Sequence, residues 1–78
     1  KKKISFFELY PNPVIDLFQI QGNSKTEKVL LFDIRGKKIK EWKNENQSYD
    51  ISNLKNGIYF IEIYSLNNFI WYKKILKI

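Results

Sequence analysis

The sequence predicts an all-β domain, an antiparallel β-sandwich of about seven short strands, with a small barrel as the other way to cover their apolar faces. Three observations predict it. Short apolar runs recur along the chain with turn residues between them. Nowhere does a helical apolar period persist over the roughly ten positions a helix needs. The 78 residues, 44% apolar and 17% aromatic, suffice for one small core, and half-apolar strands in so small a domain need a second layer to cover them.

Each element has a local reason. The first strand is expected over Ser5 to Leu9, with Lys1 to Ile4 as a linker or expression remnant and 5–78 as the domain. Tyr10-Pro11-Asn12-Pro13 then removes two backbone donors and biases Tyr10 and Asn12 toward extended geometry, which makes a bend between strands or between sheets. Strands follow over Val14 to Gln21 and Lys28 to Ile34. Asp33-Ile34-Arg35-Gly36 fits a tight hairpin turn, because Asp accepts a local backbone bond and Gly takes the left-handed position. The next strands are Lys37 to Lys43 and Gln47 to Ile51, joined by the polar loop Asn44 to Ser48. Asn56-Gly57 reads as another tight turn leading to a strand over Ile58 to Tyr64. Asn67-Asn68 reads as a two-residue turn before the last strand, Phe69 to Lys77.

Alternation turns Phe18, Ile20, Val29, Leu31, Tyr49, Ile51, Tyr59, Ile61 and Ile63 inward. In the last strand Ile70, Leu76 and Ile78 compete with Phe69, Trp71 and Ile75 for the core. Lys73 and Lys77 share the second face, so that face is expected to point outward.

Composition removes most chemistry. Cys and His are absent, so there is no thiol nucleophile, no disulfide framework and no base of the usual kind near neutral pH. No cofactor and no catalytic or metal site is expected. Asp16, Asp33 and Asp50 lie near turns or strand ends without ligand spacing, and read as turn-capping acids. Ser5, Ser24, Ser48, Ser52 and Ser65 have no histidine to activate them. Met is absent as well, so Lys1 is expected to follow a longer upstream sequence. No run approaches the roughly 20 apolar residues that span a bilayer, so no transmembrane segment is expected.

The formal net charge is +6, half of it from Lys1-Lys2-Lys3, and no acid follows Glu62 while Lys73, Lys74 and Lys77 do. A nucleic-acid partner is not expected. Aligned to an RRM-type strand, Asn56 to Ile63 puts Ile58 and Ile63 where stacking rings belong. An OB-like barrel stays open as an alternative. Trp42, Trp71 and Tyr72 could form a sugar-stacking platform, although so small a core needs its large rings for itself.

Four ordered motifs carry a resemblance to a known family: "YPNPV", "VLLFDIRGKKI", "YDISNLKNGIYFIEI" and "YKKILKI". Together, over Leu9 to Ile78, they resemble the C-terminal sorting domain of the type IX secretion system, the type A or Por secretion tail of secreted proteins from Gram-negative bacteria. The resemblance implies a compact Ig-like sandwich fused behind a cargo, non-catalytic, read by the outer-membrane translocon and removed by a sortase-like cysteine peptidase. It implies transit through the periplasm and a secreted or cell-surface destination. Pro11, Asn12 and Pro13 match its opening motif, Asp33 and Gly36 its turn, and Leu54, Gly57 and Tyr59 its Leu-x-x-Gly-x-Tyr signature. Lys74, Ile75, Leu76, Lys77 and Ile78 match its basic-apolar final segment. With Lys73 they are the residues expected to be recognised, and the peptidase cut is expected upstream of, or near, Lys1 to Ser5. A surface adhesion or carbohydrate-binding sandwich is the alternative.

Overall fold

The computed structural model of the chain describes residues 6–78. The expected start of the first strand at Ser5, the linker and the peptidase cut therefore lie outside the described residues. Within them the fold is all-β, with seven strands in two antiparallel sheets. One sheet has the order β1 (Phe7–Tyr10), β2 (Leu17–Gly22), β5 (Tyr49–Asp50). The other has the order β4 (Lys38–Lys43), β3 (Thr26–Phe32), β6 (Gly57–Ser65), β7 (Ile70–Lys77).

Alternation sets the inner faces. In β6 Tyr59, Ile61, Ile63 and Ser65 are buried while Ile58 and Phe60 are exposed. Val29 and Leu31 of β3 pair with Ile63 and Ile61 and share that inner side. From the other sheet come Phe7, Leu9, Phe18 and Tyr49, with Ile51 and Val14 closing the core from connecting segments. Ile20 is half-buried against it. Phe18 and Tyr49 stack at 5.1 Å, and Trp42 meets both edge-on at 6.0 and 5.3 Å. Such offset and edge contacts add to the burial of the rings themselves.

The two hairpins of the larger sheet use one device. Asp33 N–H donates to the Lys37 carbonyl and Gly36 N–H to the Asp33 carbonyl, with Gly36 at φ 85°. Ser65 N–H donates to the Phe69 carbonyl and Asn68 N–H to the Ser65 carbonyl, with Asn68 at φ 70°. Each is a three-residue loop that ends in a left-handed residue. The expected two-residue turn at Asn67-Asn68 is therefore one residue longer, because Asn68 itself has to be the left-handed member.

Three further expectations are corrected. Asn56-Gly57 is not a hairpin turn: β5 pairs with β2 and β6 with β3 and β7, so Ile51 to Asn56 crosses between the sheets. The strand expected over Val14 to Gln21 begins only at Leu17, and Val14 instead makes an isolated parallel bridge to Lys77. Finally, the last strand is turned the other way, with Trp71 and Ile75 packed on the core and Ile70, Leu76 and Ile78 exposed. Register decides this, not the lysine count: Trp71, Lys73 and Ile75 pair with Ile63, Ile61 and Tyr59, whose side chains already face inward.

β1, at the edge of its sheet, lies across a groove from β7. It begins beside Trp71, whose ring meets that of Phe7 at 6.2 Å. It ends at the Pro11-Asn12-Pro13 bend, beside the last residues of β7.

Candidate functional site

The final strand is held on both edges. On one side β7 pairs with β6 in unbroken antiparallel register from Gly57↔Lys77 to Tyr64↔Ile70. On the other side a strand at the end of a sheet order would leave its N–H and C=O groups open. Here the bend fills that edge. The Asn12 side chain donates from Nδ2 to the Lys74 carbonyl and accepts at Oδ1 from the Leu76 N–H, both at 3.1 Å. Val14 N–H donates to the Leu76 carbonyl at 2.7 Å, and Ile78 N–H donates to the Val14 carbonyl at 2.8 Å.

A primary amide carries one acceptor and two donors in one plane, so Asn12 presents to the strand what a backbone peptide would. The flanking prolines have no N–H to offer, and Tyr10–Pro11 and Asn12–Pro13 are both cis. The clamp was not visible in the sequence, because its partners lie 62 and 64 residues away. The one local signal is an amide side chain set between two residues that lack backbone donors.

Faces of the strand divide the six residues expected to be recognised. Lys74, Leu76 and Ile78 are exposed on the outer face, beside Ile58 and Phe60 of β6. Ile75 is core. Lys77 points inward at 6% exposure, its Nζ donating to the Ile78 oxygen at 3.3 Å. Lys73 is exposed, at the mouth of the groove between β7 and β1, with Phe7, Glu8, Leu9, Tyr10 and Trp71.

The remaining motif residues have structural roles. Tyr59 donates its hydroxyl to the Lys55 carbonyl at 2.7 Å, a tie back to the crossover like the tyrosine corner of other β-sandwiches. Leu54 is half-buried on the core, and Gly57, at φ 151°, opens β6 opposite Lys77. The structure thus brings Pro11 to Pro13, Gly57 and Tyr59 to the final strand. Asp33 and Gly36 stay apart from it, in the β3–β4 turn on the far side of β6.

Asp33 caps that turn, accepting at Oδ1 from the N–H of Arg35 (2.8 Å) and of Lys37 (3.0 Å). The Lys37 N–H foremost holds its carboxyl below the usual range; desolvation opposes it as the next largest effect, and the Arg35 N–H and guanidinium add to the lowering. Asp50 caps likewise, accepting from Ser52 N–H at 2.8 Å. No cluster of acids suited to a metal ion occurs among the described residues. Trp42 and Trp71 pack inward while Tyr72, next to Trp71, is exposed on the opposite face, so the three rings form no common platform.

A family model described as a secretion system C-terminal sorting domain matches residues 8–77. The chain belongs to that family. The family is non-catalytic. The sorting domain is also 32% identical over 79 residues to the ulvan lyase NLR42 of Nonlabens ulvanivorans. That match covers 96% of this chain and 15% of the lyase, so the chain spans about one seventh of that relative's length. No solved structure gives a significant match.

Proposed function

We propose that this sorting domain targets a cargo fused ahead of it to the outer-membrane translocon of the type IX system, and that a sortase-like peptidase removes it after passage. The cargo crosses the periplasm and ends secreted or on the cell surface. One observation carries the reading: Lys74 to Lys77 pair with β6 on one edge, and Asn12 and Val14 bond the other edge from Lys74 through Ile78. A receptor meets this segment as a rigid surface and loses no ordering entropy when it binds. The address is therefore conformational. It exists only when residues from both ends of the domain have come together.

The test is a reporter carrying a periplasmic export signal, fused ahead of the chain in a bacterium with a type IX system. The intact chain sends the reporter outside the cell, and deletion of Lys74 to Ile78 leaves it in the periplasm. Asn12→Ala, checked by circular dichroism to retain the sheet, lowers export without abolishing the fold. Equal export by the deletion variant overturns the reading.

A further inference from the structure

The outer face of β6 and β7 carries a patch that the sandwich leaves bare. Cross-strand pairs Ile58↔Leu76 and Phe60↔Lys74 set four side chains side by side, and Ile78 continues the row. The apolar members are between 41% and 51% exposed. A depression of about 280 Å³ lies among them, lined by Asn12, Ile58, Lys74, Ile75 and Leu76. The clamp that orders the final strand is thus also one wall of a concavity on its outer face.

Charge indicates what fits there. Lys74 stands in the patch with no ion pair among the described residues. The nearest acid on that face, Glu62, pairs across to Tyr72 and already accepts the Tyr64 hydroxyl at 2.8 Å. A second copy is a poor occupant, because a two-fold contact through this patch sets Lys74 near its own counterpart between molecules of net charge +6. A lipid surface is poorly matched too, since both tryptophans are packed on the core and not on this face.

We propose that this face docks a protein surface of matching shape, apolar with a carboxylate placed to meet the Lys74 ammonium. The proposal rests on the sorting reading above and names the chemistry of its receptor. Apolar contact with Ile58, Phe60 and Leu76 supplies the area, and a charge pair sheltered among them fixes the register. Lys73 and Lys77 stand outside this contact, because their side chains belong to the other face.

The experiment uses the reporter fusion with Lys74→Glu, Lys74→Gln and Lys74→Arg, and with Gln19→Glu on β2 as control, each purified to verify an unchanged melting temperature. Exported fraction falls about tenfold or more for Lys74→Glu, the scale of reversing one close interfacial charge. It falls less for Lys74→Gln and is kept by Lys74→Arg and Gln19→Glu. Carbodiimide treatment of intact cells joins the Lys74 amine to an aspartate or glutamate of an outer-membrane protein, located by peptide mass spectrometry and lost in Lys74→Arg. Wild-type export by Lys74→Glu overturns the docking face and leaves the sorting reading standing. No export of the wild-type fusion defeats the sorting reading itself. Binding to phosphatidylglycerol vesicles abolished by Lys74→Glu assigns the face to membrane, and a dimer in sedimentation abolished by Lys74→Glu assigns it to a second copy. Either result also overturns the proposal.

Discussion

A Cβ built on Gly22 would lie 2.6 Å from the Phe6 carbonyl oxygen and would also meet the Phe7 ring, which crosses the backbone there. Backbone cannot yield as a flexible side chain does, so Gly22→Ala should destabilise the domain by about 1–3 kcal/mol, the usual cost of overpacking. Thermal unfolding measures it, and an unchanged midpoint refutes the close approach. Asp33 gives a second prediction, in pH. Its carboxyl is held below the ordinary value of 3.8, first by the Lys37 N–H, so the charged form is the one the fold favours. The stabilisation is present above that value and is lost as pH falls through the lower folded one. Melting temperature should drop below pH 4 less steeply in Asp33→Asn than in the wild type. Identical acid profiles count against the cap. The capping role of Asp33 was legible in the sequence because its partners are two and four residues away. That of Asn12 was not, since nothing local names Lys74 and Leu76 as its partners.

At the scale of elements, each strand was legible as an apolar run and each hairpin as turn chemistry. The facing of β7 was not. Two lysines on one face argued for turning it outward, yet Lys73 reaches the mouth of the groove and Lys77 folds its ammonium onto the Ile78 oxygen. A long aliphatic stem lies against apolar neighbours while its charged head finds an acceptor, so lysine is weak testimony about which face is wet. The cross-strand partners Tyr59, Ile61 and Ile63 are better witnesses. Because the Leu76 amide is bonded to Asn12 and the Ile78 amide to Val14, the outer edge makes its own prediction. Asn12→Ala should speed hydrogen exchange at the Leu76 amide by about tenfold, the equivalent of one net hydrogen bond of about 1 kcal/mol or slightly more. The Ile75 amide, on the β6 side, should change less. Equal protection of Leu76 in the variant rules out the side-chain clamp.

For the whole molecule, size and patterning favoured the two-layer architecture, since seven short strands need cover for their apolar faces and a small barrel was the other solution. Which strands share a sheet did not follow. β5 pairs with β2 across a separation of about thirty residues, and β7 is touched by both β6 and the Pro11 to Val14 segment; such pairings are fixed by packing and not by neighbours in sequence. The course of β1 has one more consequence. Phe7 lies beside Trp71 near the β6–β7 loop, whereas Val14 meets Lys77 at the opposite end of the sandwich. Phe6, the first described residue, thus lies toward one pole and the clamped segment Lys74 to Ile78 toward the other. Under the proposed function, passengers of very different bulk can travel with the same tag without casting a steric shadow over it.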